Sequence, residues 1–325
     1  MTSRRPSFHI GQKTVLPGRR AFEELPVARL FTGSWLSLPV AVLHGRKPGP
    51  KVWLSAAIHG DELNGIEIIR QVLRQLEPKT LRGTVIAVPV VNVFGLLHQT
   101  RYLPDRRDLN RSFPGSPRGS LTARLAHLFL DEVVGQADYG IDLHTAALHR
   151  TNLPQIRANL DDPEIYRLAE AFGAPIMMGG RRLRGSLREI AHQRDIKYLL
   201  YEAGEPLRLN DFAIEAGVLG ILRVLVALEM IENAPGPLAS KSLVAEDTTW
   251  LRARRTGSLS LKTSLGSQTT AGQVIGTIND PVSDPFSTKR RVVKAPFNGM
   301  VIGQTINPLV HQGDAILHLA RLKTG

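Results

Sequence analysis

The chain has 325 residues, 42% hydrophobic and 22% charged, as expected of a folded globular protein with a core large enough to enclose a site. It has no cysteine, which excludes disulfides, thiolate metal ligands and cysteine nucleophiles; any metal must use His, Asp or Glu. The net charge is +12, but the arginines are scattered in pairs such as Arg106-Arg107 and Arg254-Arg255, and aromatic residues are only 6%. No aromatic platform interleaves with them, which argues against nucleic acid and leaves a basic proteome or a field that draws in small anionic substrates.

The N-terminal Arg4-Arg5 is not followed by an apolar stretch, so no secretory leader is expected and the cytoplasm is the expected compartment. No apolar run is long enough to span a membrane. Val40 to Leu43 reads as a short strand. Val52 to Ile58 is a nearly continuous apolar run, expected of a strand buried on both faces, and it ends at His59-Gly60-Asp61-Glu62. Ile66, Ile69, Val72, Leu73 and Leu76 then recur at helical spacing until Pro78. Thr84 to Val91 is a second buried strand, ending at Asn92. Phe94 to Ser120 is a long polar segment, and a loop of that length inside a compact domain is usually functional. Thr122 to Val134 reads as a helix, and Tyr139 to Leu143 as a strand ending at His144. Pro163 to Phe172 is a helix capped by Asp161 or Asp162. Pro175 to Met178 is a strand, Gly185 to Arg194 a helix, and Ile196 to Tyr201 a strand ending at Glu202. Phe212 to Ile231 is a long helix.

Alternating strands and helices predict an α/β unit over 1–235, closed by the Pro/Gly break at 233–237. From Val244 to Ala320 short Val/Ile/Leu/Thr runs are separated by Gly, Pro and Asn, which predicts a small all-β unit over 236–325.

Chemistry concentrates at strand ends. His59 and Glu62 lie across a strand-to-helix turn, close enough to face one ion, and His144 ends a third strand. Zinc accepts imidazole nitrogen and carboxylate oxygen, and a catalytic site needs three protein ligands and an open position. Open α/β sheets bind ligands beyond the carboxyl ends of their strands. Two neutral imidazoles and one carboxylate leave zinc with a charge of about +1, enough to acidify water and polarise a carbonyl. Such chemistry needs a further carboxylate as general base; Glu202 and Glu205 both qualify by spacing. His98, His127 and His192 have no partner spacing and read as structural. His149, Arg150 and Arg157 follow the third ligand, where a pocket-lining role and a surface role are equally open.

Ile58-His59-Gly60-Asp61-Glu62-Leu63-Asn64-Gly65, Arg107-Asp108-Leu109-Asn110-Arg111-Ser112-Phe113-Pro114-Gly115, Ile141-Asp142-Leu143-His144-Thr145 and Tyr201-Glu202-Ala203-Gly204 together resemble the succinylglutamate desuccinylase/aspartoacylase family, of the zinc carboxypeptidase superfamily. The resemblance implies a mixed, largely parallel sheet with helices on both faces, as in zinc carboxypeptidases. It implies one Zn²⁺ per chain on His59, Glu62 and His144, and Glu202 rather than Glu205 as general base and acid. It further implies Asn110 and Arg111 as holders of a substrate carboxylate, Asp108 as the partner that orients His59, and Arg101 as the arginine that polarises the scissile carbonyl. The expected activity is hydrolysis of the amide bond of a small anionic N-acyl amino acid or related N-acylated compound. The alternatives are a zinc carboxypeptidase acting on short peptides and a non-catalytic small-molecule binding protein. Val292 to Val301 resembles a biotinyl/lipoyl-type barrel-sandwich segment, but Lys289 lacks the carrier tripeptide. The β unit is therefore expected to cap the mouth of the site or to mediate homo-oligomerisation.

Overall fold

The structure, a computed structural model, describes residues 5–180, 183–236, 241–280 and 290–323; Lys289 lies outside them. A small hairpin, β1 (Phe8–Ile10) and β2 (Lys13–Val15), precedes a long one, β3 (Arg19–Arg29) and β4 (Trp35–His44). Then follow β5 (Lys47–Ala56), α1 (Asn64–Gln75), β6 (Arg82–Val88), α2 (Val93–His98), α3 (Leu121–Glu132), β7 (Tyr139–His144) and β8 (Arg150–Ala158). The first part is completed by α4 (Pro163–Phe172), β9 (Ile176–Gly179), α5 (Leu187–Gln193), β10 (Lys197–Gly204) and α6 (Asp211–Ala227). The C-terminal part is all β: β11 (Leu243–Arg252), β12 (Gly257–Leu261), β13 (Gln268–Thr269), β14 (Val274–Asn279), β15 (Arg290–Lys294), β16 (Gly299–Thr305), β17 (Leu309–Val310) and β18 (Ala315–Leu322).

Among the described residues, twelve strands form one mixed sheet in the order β13-β16-β18-β11-β9-β8-β10-β7-β5-β6-β4-β3. The central run β6-β5-β7-β10 is parallel. Antiparallel neighbours flank it, β4 beside β6 and β8 beside β10. The sheet is thus parallel at its centre and mixed as a whole. A second, four-stranded antiparallel sheet, β15-β14-β12-β17, belongs to the C-terminal part.

The central strands alternate between two cores, as a strand buried on both faces must. Leu54 and Ala56 of β5, with Leu199 and Tyr201 of β10, meet α1, α4 and α6 on one face. Trp53 of β5, with Tyr198 and Leu200 of β10, meets α3 and α5 on the other. Helix starts follow their caps. Asp162 accepts from Glu164 and Ile165 N–H at 2.9 and 3.0 Å, with Pro163 in the first turn. Ser120, Ser186 and Asn210 cap α3, α5 and α6 in the same way.

Several elements differ from their sequence expectation. The Val40–Leu43 strand is longer and pairs with β3, whose polar outer face hides it from an apolar-run reading. The 94–120 segment is not all loop: it contains α2 and a 3-10 turn over Leu109–Arg111. The last helix stops at Ala227 rather than Ile231. β8 was not expected, because Arg150, Asn152, Pro154, Gln155 and Arg157 break up any apolar run.

The two parts share hydrogen bonds. β11 pairs in parallel with β9, and β16 pairs antiparallel with β8 over Arg150–Asn152. With β8–β9, β11–β18 and β16–β18, these pairings close a ring of five strands. No helix of the described residues is long and apolar enough to cross a membrane.

Helix α6 can lie close to α4 because it carries Gly220. A Cβ there would come within 2.2 Å of the Phe172 ring, which is fully buried. Gly220→Ala is predicted to cost about 1–3 kcal/mol by overpacking, read as a lowered urea midpoint with an unchanged slope.

Candidate metal centre and its cavity

His59, Glu62, His144 and Glu202 meet at the carboxyl ends of three parallel strands. Beyond the end of β5 the chain turns sharply: Ala57 has φ +49°, and Glu62 N–H donates to the His59 carbonyl at 3.1 Å. Gly60 permits this turn. A Cβ at that position would lie 1.9 Å from the Gly95 carbonyl carbon, against the backbone of α2. His144 ends β7, and in the β7–β10 pairing it stands opposite Glu202.

The Glu62 carboxylate sits between the two imidazoles. Its Oε1 is 2.7 Å from His59 Nδ1, and its Oε2 is 2.8 Å from His144 Nδ1. Thr145 N–H adds a bond to Oε2 at 3.1 Å. The far nitrogens of both rings face carboxylates: His59 Nε2 meets Asp108 at 3.2 Å and His144 Nε2 meets Asp142 at 2.8 Å. Both histidines therefore direct Nδ1 to a common point, each with its ring orientation set from behind. Asp142 is itself held by Ser55 Oγ at 2.7 Å and Tyr198 OH at 2.9 Å, and Trp53 Nε1 donates to Ser55.

The electrostatics suit a cation. Burial disfavours charge on Glu62, yet His59 and His144 hold its carboxyl well below the usual range. Burial likewise works against protonation of His144, but Asp142 and Glu62 outweigh it and raise its pKa; for His59, Glu62 and Asp108 do the same. Asp108 is half-buried, and His59 and Arg101 keep it ionised. In chemical terms, two imidazole nitrogens and a carboxylate converge within 4.8 Å of one another. That donor set fits a divalent metal ion of the nitrogen- and oxygen-preferring kind.

The residues named from sequence come together around this group. Arg101 donates to Asp108 Oδ2 through Nε and Nη2 at 3.2 and 2.9 Å and reaches Glu62 at 3.4 Å. Asn92 holds this segment from behind: its Oδ1 caps α2 and its Nδ2 donates to the Arg101 carbonyl. Asn110 Oδ1 accepts from Leu187 N–H at the start of α5, at 2.9 Å. His59, Glu62, Arg101, Asn110, Arg111, His144 and Glu202 all line one cavity of about 760 Å³. Asp108 stands behind His59. Glu205 pairs instead with Arg208 at 3.2 Å.

Four contributors, Asp142, Asn152, Trp250 and His318, were not identified from sequence. Asp142 precedes His144 by two residues, and the period-2 alternation of a strand puts both side chains on one face, a signal that was legible. Asn152 and Arg157 of β8 contact Glu202, at 2.7 Å to Oε2 and 3.2 Å to Oε1. β11 and β18 bring Trp250 and His318 to the cavity wall. Their rings stack at 4.6 Å and 6°, with the Arg150 guanidinium 4.8 Å over Trp250. Arg150 and Arg157 thus line the cavity, whereas the carbonyl of the exposed His149 binds Thr305 and Ile306. His98 is exposed and His127 pairs with Asp131 at 3.2 Å.

Residues 48–228 match the family described as the succinylglutamate desuccinylase/aspartoacylase catalytic domain. The chain belongs to this family. A succinylglutamate desuccinylase/aspartoacylase from Rhodobacter sphaeroides is 30% identical, with a TM-score of 0.82 over 94% of this chain and 96% of that one. N-alpha-acetyl-L-2,4-diaminobutyric acid deacetylase from Halomonas elongata is 28% identical over 94% of this chain and 92% of its own length. The fold is also that of an ectoine utilization protein from Ruegeria pomeroyi, 21% identical with a TM-score of 0.81 over 93% of this chain and 94% of that one. Membership in the family accords with the four motifs and with the buried His59–Glu62–His144 group at their meeting point.

Two predictions follow from this geometry. Purified protein is expected to carry about one divalent ion per chain by elemental analysis, and His144→Ala to lose it; metal retained at full occupancy in that variant would refute the ligand set. The second concerns His318. Burial, with Arg157 and Arg150 nearby, pushes its pKa down to about 3. The folded value lies below the unfolded value of about 6.5. The unfolded chain therefore binds more protons, and this contribution to stability is complete above about pH 6.5 and declines as pH falls toward 3. The His318 ring should show no titration between pH 8 and 5 by NMR.

Proposed function

We propose that the protein is a zinc-dependent deacylase that hydrolyses the amide bond of a small, anionic N-acyl amino acid or related N-acylated compound. The observation that carries this reading is the pairing of Glu202 with His144 across adjacent strands, so that a carboxylate opens onto the same cavity as the buried His–Glu–His group. A binding protein would have no need of that carboxylate.

Held by His59, Glu62 and His144, a zinc ion would supply Lewis acidity, acidifying water and polarising the amide carbonyl. The protein's own groups do the rest. Glu202 takes a proton from the attacking water as its oxygen bonds to the acyl carbon. It returns a proton to the nitrogen as the C–N bond breaks, leaving a carboxylic acid and a free amine. Arg101, oriented by Asp108, donates to the developing oxyanion, a contribution typically worth about 3 kcal/mol. Asn110 and Arg111 hold a substrate carboxylate; the guanidinium fork matches its two oxygens.

The cavity favours an anion. Arg101, Arg111, Arg150, Arg157, Arg188 and Arg252 line it against Glu62, Glu202, Glu246 and Asp247. The wall built by β11 closes one side of the cavity and disfavours an extended peptide. The activities in the relatives' names, desuccinylation and deacetylation of amino acids, belong to the same reaction class.

The test is an amine-release screen of the zinc-loaded protein with N-acetyl and N-succinyl amino acids, N-acetyl-L-2,4-diaminobutyrate among them, beside short peptides. Turnover of an N-acyl amino acid is expected. Release from peptides alone would support a peptidase, and silence with every substrate would support a binding protein. Glu202→Gln should keep its zinc and lose about two or more decades of kcat.

A further inference from the structure

Glu202 does not stand alone. Its carboxylate is held by two residues of β8, the strand on the side of β10 away from β7. Asn152 Nδ2 donates to Oε2 at 2.7 Å, and an Arg157 terminal nitrogen meets Oε1 at 3.2 Å. Oε2 thus accepts a hydrogen bond and Oε1 faces a cation, and each oxygen keeps a lone pair for the proton it moves. Asn152 is buried, with 5% exposure, so its amide has little freedom to turn away.

β8 in turn depends on the C-terminal part. Arg150, Thr151 and Asn152 pair with Thr305, Gln304 and Gly303 of β16. The residue that leads into β8, His149, has φ +62°, and its carbonyl accepts from Thr305 Oγ1 at 3.0 Å and Ile306 N–H at 2.8 Å. Gly303 stands opposite Asn152 in this pairing, beside its side chain. A Cβ at 303 would lie 2.8 Å from Asn152 Oδ1 and 3.2 Å from His318 Cβ. The β16–β18 pairing shifts register at this point, between Val301 and Gly303, as a bulge does where a strand must fit a site.

We infer that Asn152 and Arg157 are positioning residues for Glu202, and that the C-terminal β part holds them in place through β16, with Gly303 as the point of contact. This rests on the reading of Glu202 as general base. It assigns the C-terminal part a role in catalysis: it sets the aim of the base from two strands away. A misplacement of about 1 Å at a reacting group is enough to cost on the order of 100-fold in rate.

The test uses the full-length zinc-loaded protein with N-acetyl-L-2,4-diaminobutyrate as probe, and crystal structures as a readout independent of turnover. Asn152→Ala and Arg157→Ala are expected to lower kcat about 10–100-fold, to change KM less than about threefold and to keep full zinc content. Arg157→Lys should recover part of the loss. In a Glu202→Gln background, adding Asn152→Ala should cost less than about threefold, because the group it aims is gone. Gly303→Ala should reproduce the Asn152→Ala phenotype; if that variant does not fold, Thr305→Ala, which loses the Oγ1 bonds to the His149 carbonyl and from Asn307 N–H, should give a smaller drop of the same kind. In crystals of Asn152→Ala and Arg157→Ala the Glu202 carboxylate should leave its wild-type position. Wild-type kcat in both β8 variants beside an inactive Glu202→Gln would overturn the clamp and leave the base in place. An unmoved Glu202 carboxylate in both crystals would overturn it whether or not the probe is turned over. A fully active Glu202→Gln would instead overturn the reading of the base itself.

Discussion

A carboxylate buried between two imidazoles is the constraint on which the rest of the structure depends. Glu62 is 2% exposed, and an ionised group there is tolerable only if each oxygen is matched. The match is complete: His59, His144 and Thr145 N–H surround it, with Arg101 at its edge. These partners come from three separate parts of the chain, at His59, Arg101 and His144–Thr145. Bringing them together requires the carboxyl ends of β5 and β7 to lie side by side, and the 94–120 segment to fold back over them. Asp108 and Asp142 extend the pattern outward, each fixing the far nitrogen of one ring.

The same constraint explains the loop architecture. Gly60 lets the His59–Glu62 turn press against the backbone of α2, and Asn92 ties α2 to the Arg101 carbonyl. Asn110 accepts through its side-chain carbonyl from Leu187 N–H at the start of α5 and also lines the cavity. Packing and chemistry are thus carried by the same side chains, and rigid supports of this sort hold a site in working geometry.

The C-terminal part is joined to the first by two strand pairings that complete a five-stranded ring with β8 and β9. Its strands supply Trp250 and His318 to the cavity wall. A neutral His318 stacked flat on Trp250, under the guanidinium of Arg150, offers a wall without ionisable charge among several arginines. The second sheet, β15-β14-β12-β17, packs around Ile278 and Ile316 in a core of its own.

How much of this was legible in the sequence depended on the range of the interaction. The buried strands β5, β6, β7 and β10 announced themselves as apolar runs, and each polar residue at a strand end marked where a site would form. Helix α4 was readable to the residue because its cap and its Pro163 are local signals. The motifs carrying His59, Glu62, Asp108, Asn110, Arg111, His144 and Glu202 lay in the chain order that the cavity unites. β8 was not legible: with Arg, Asn, Pro and Gln among its nine residues, it is a strand only because β10, β9 and β16 saturate its backbone. With it went the two contacts to Glu202. Sequence alone therefore determined the family and the His59–Glu62–His144 group, and through its motifs offered Glu202 as the carboxylate beside it, because motifs are written in residue type and chain order. Only the tertiary structure decided what surrounds that carboxylate and which strands wall the cavity, because hydrogen bonds between strands distant in sequence leave no periodicity to read.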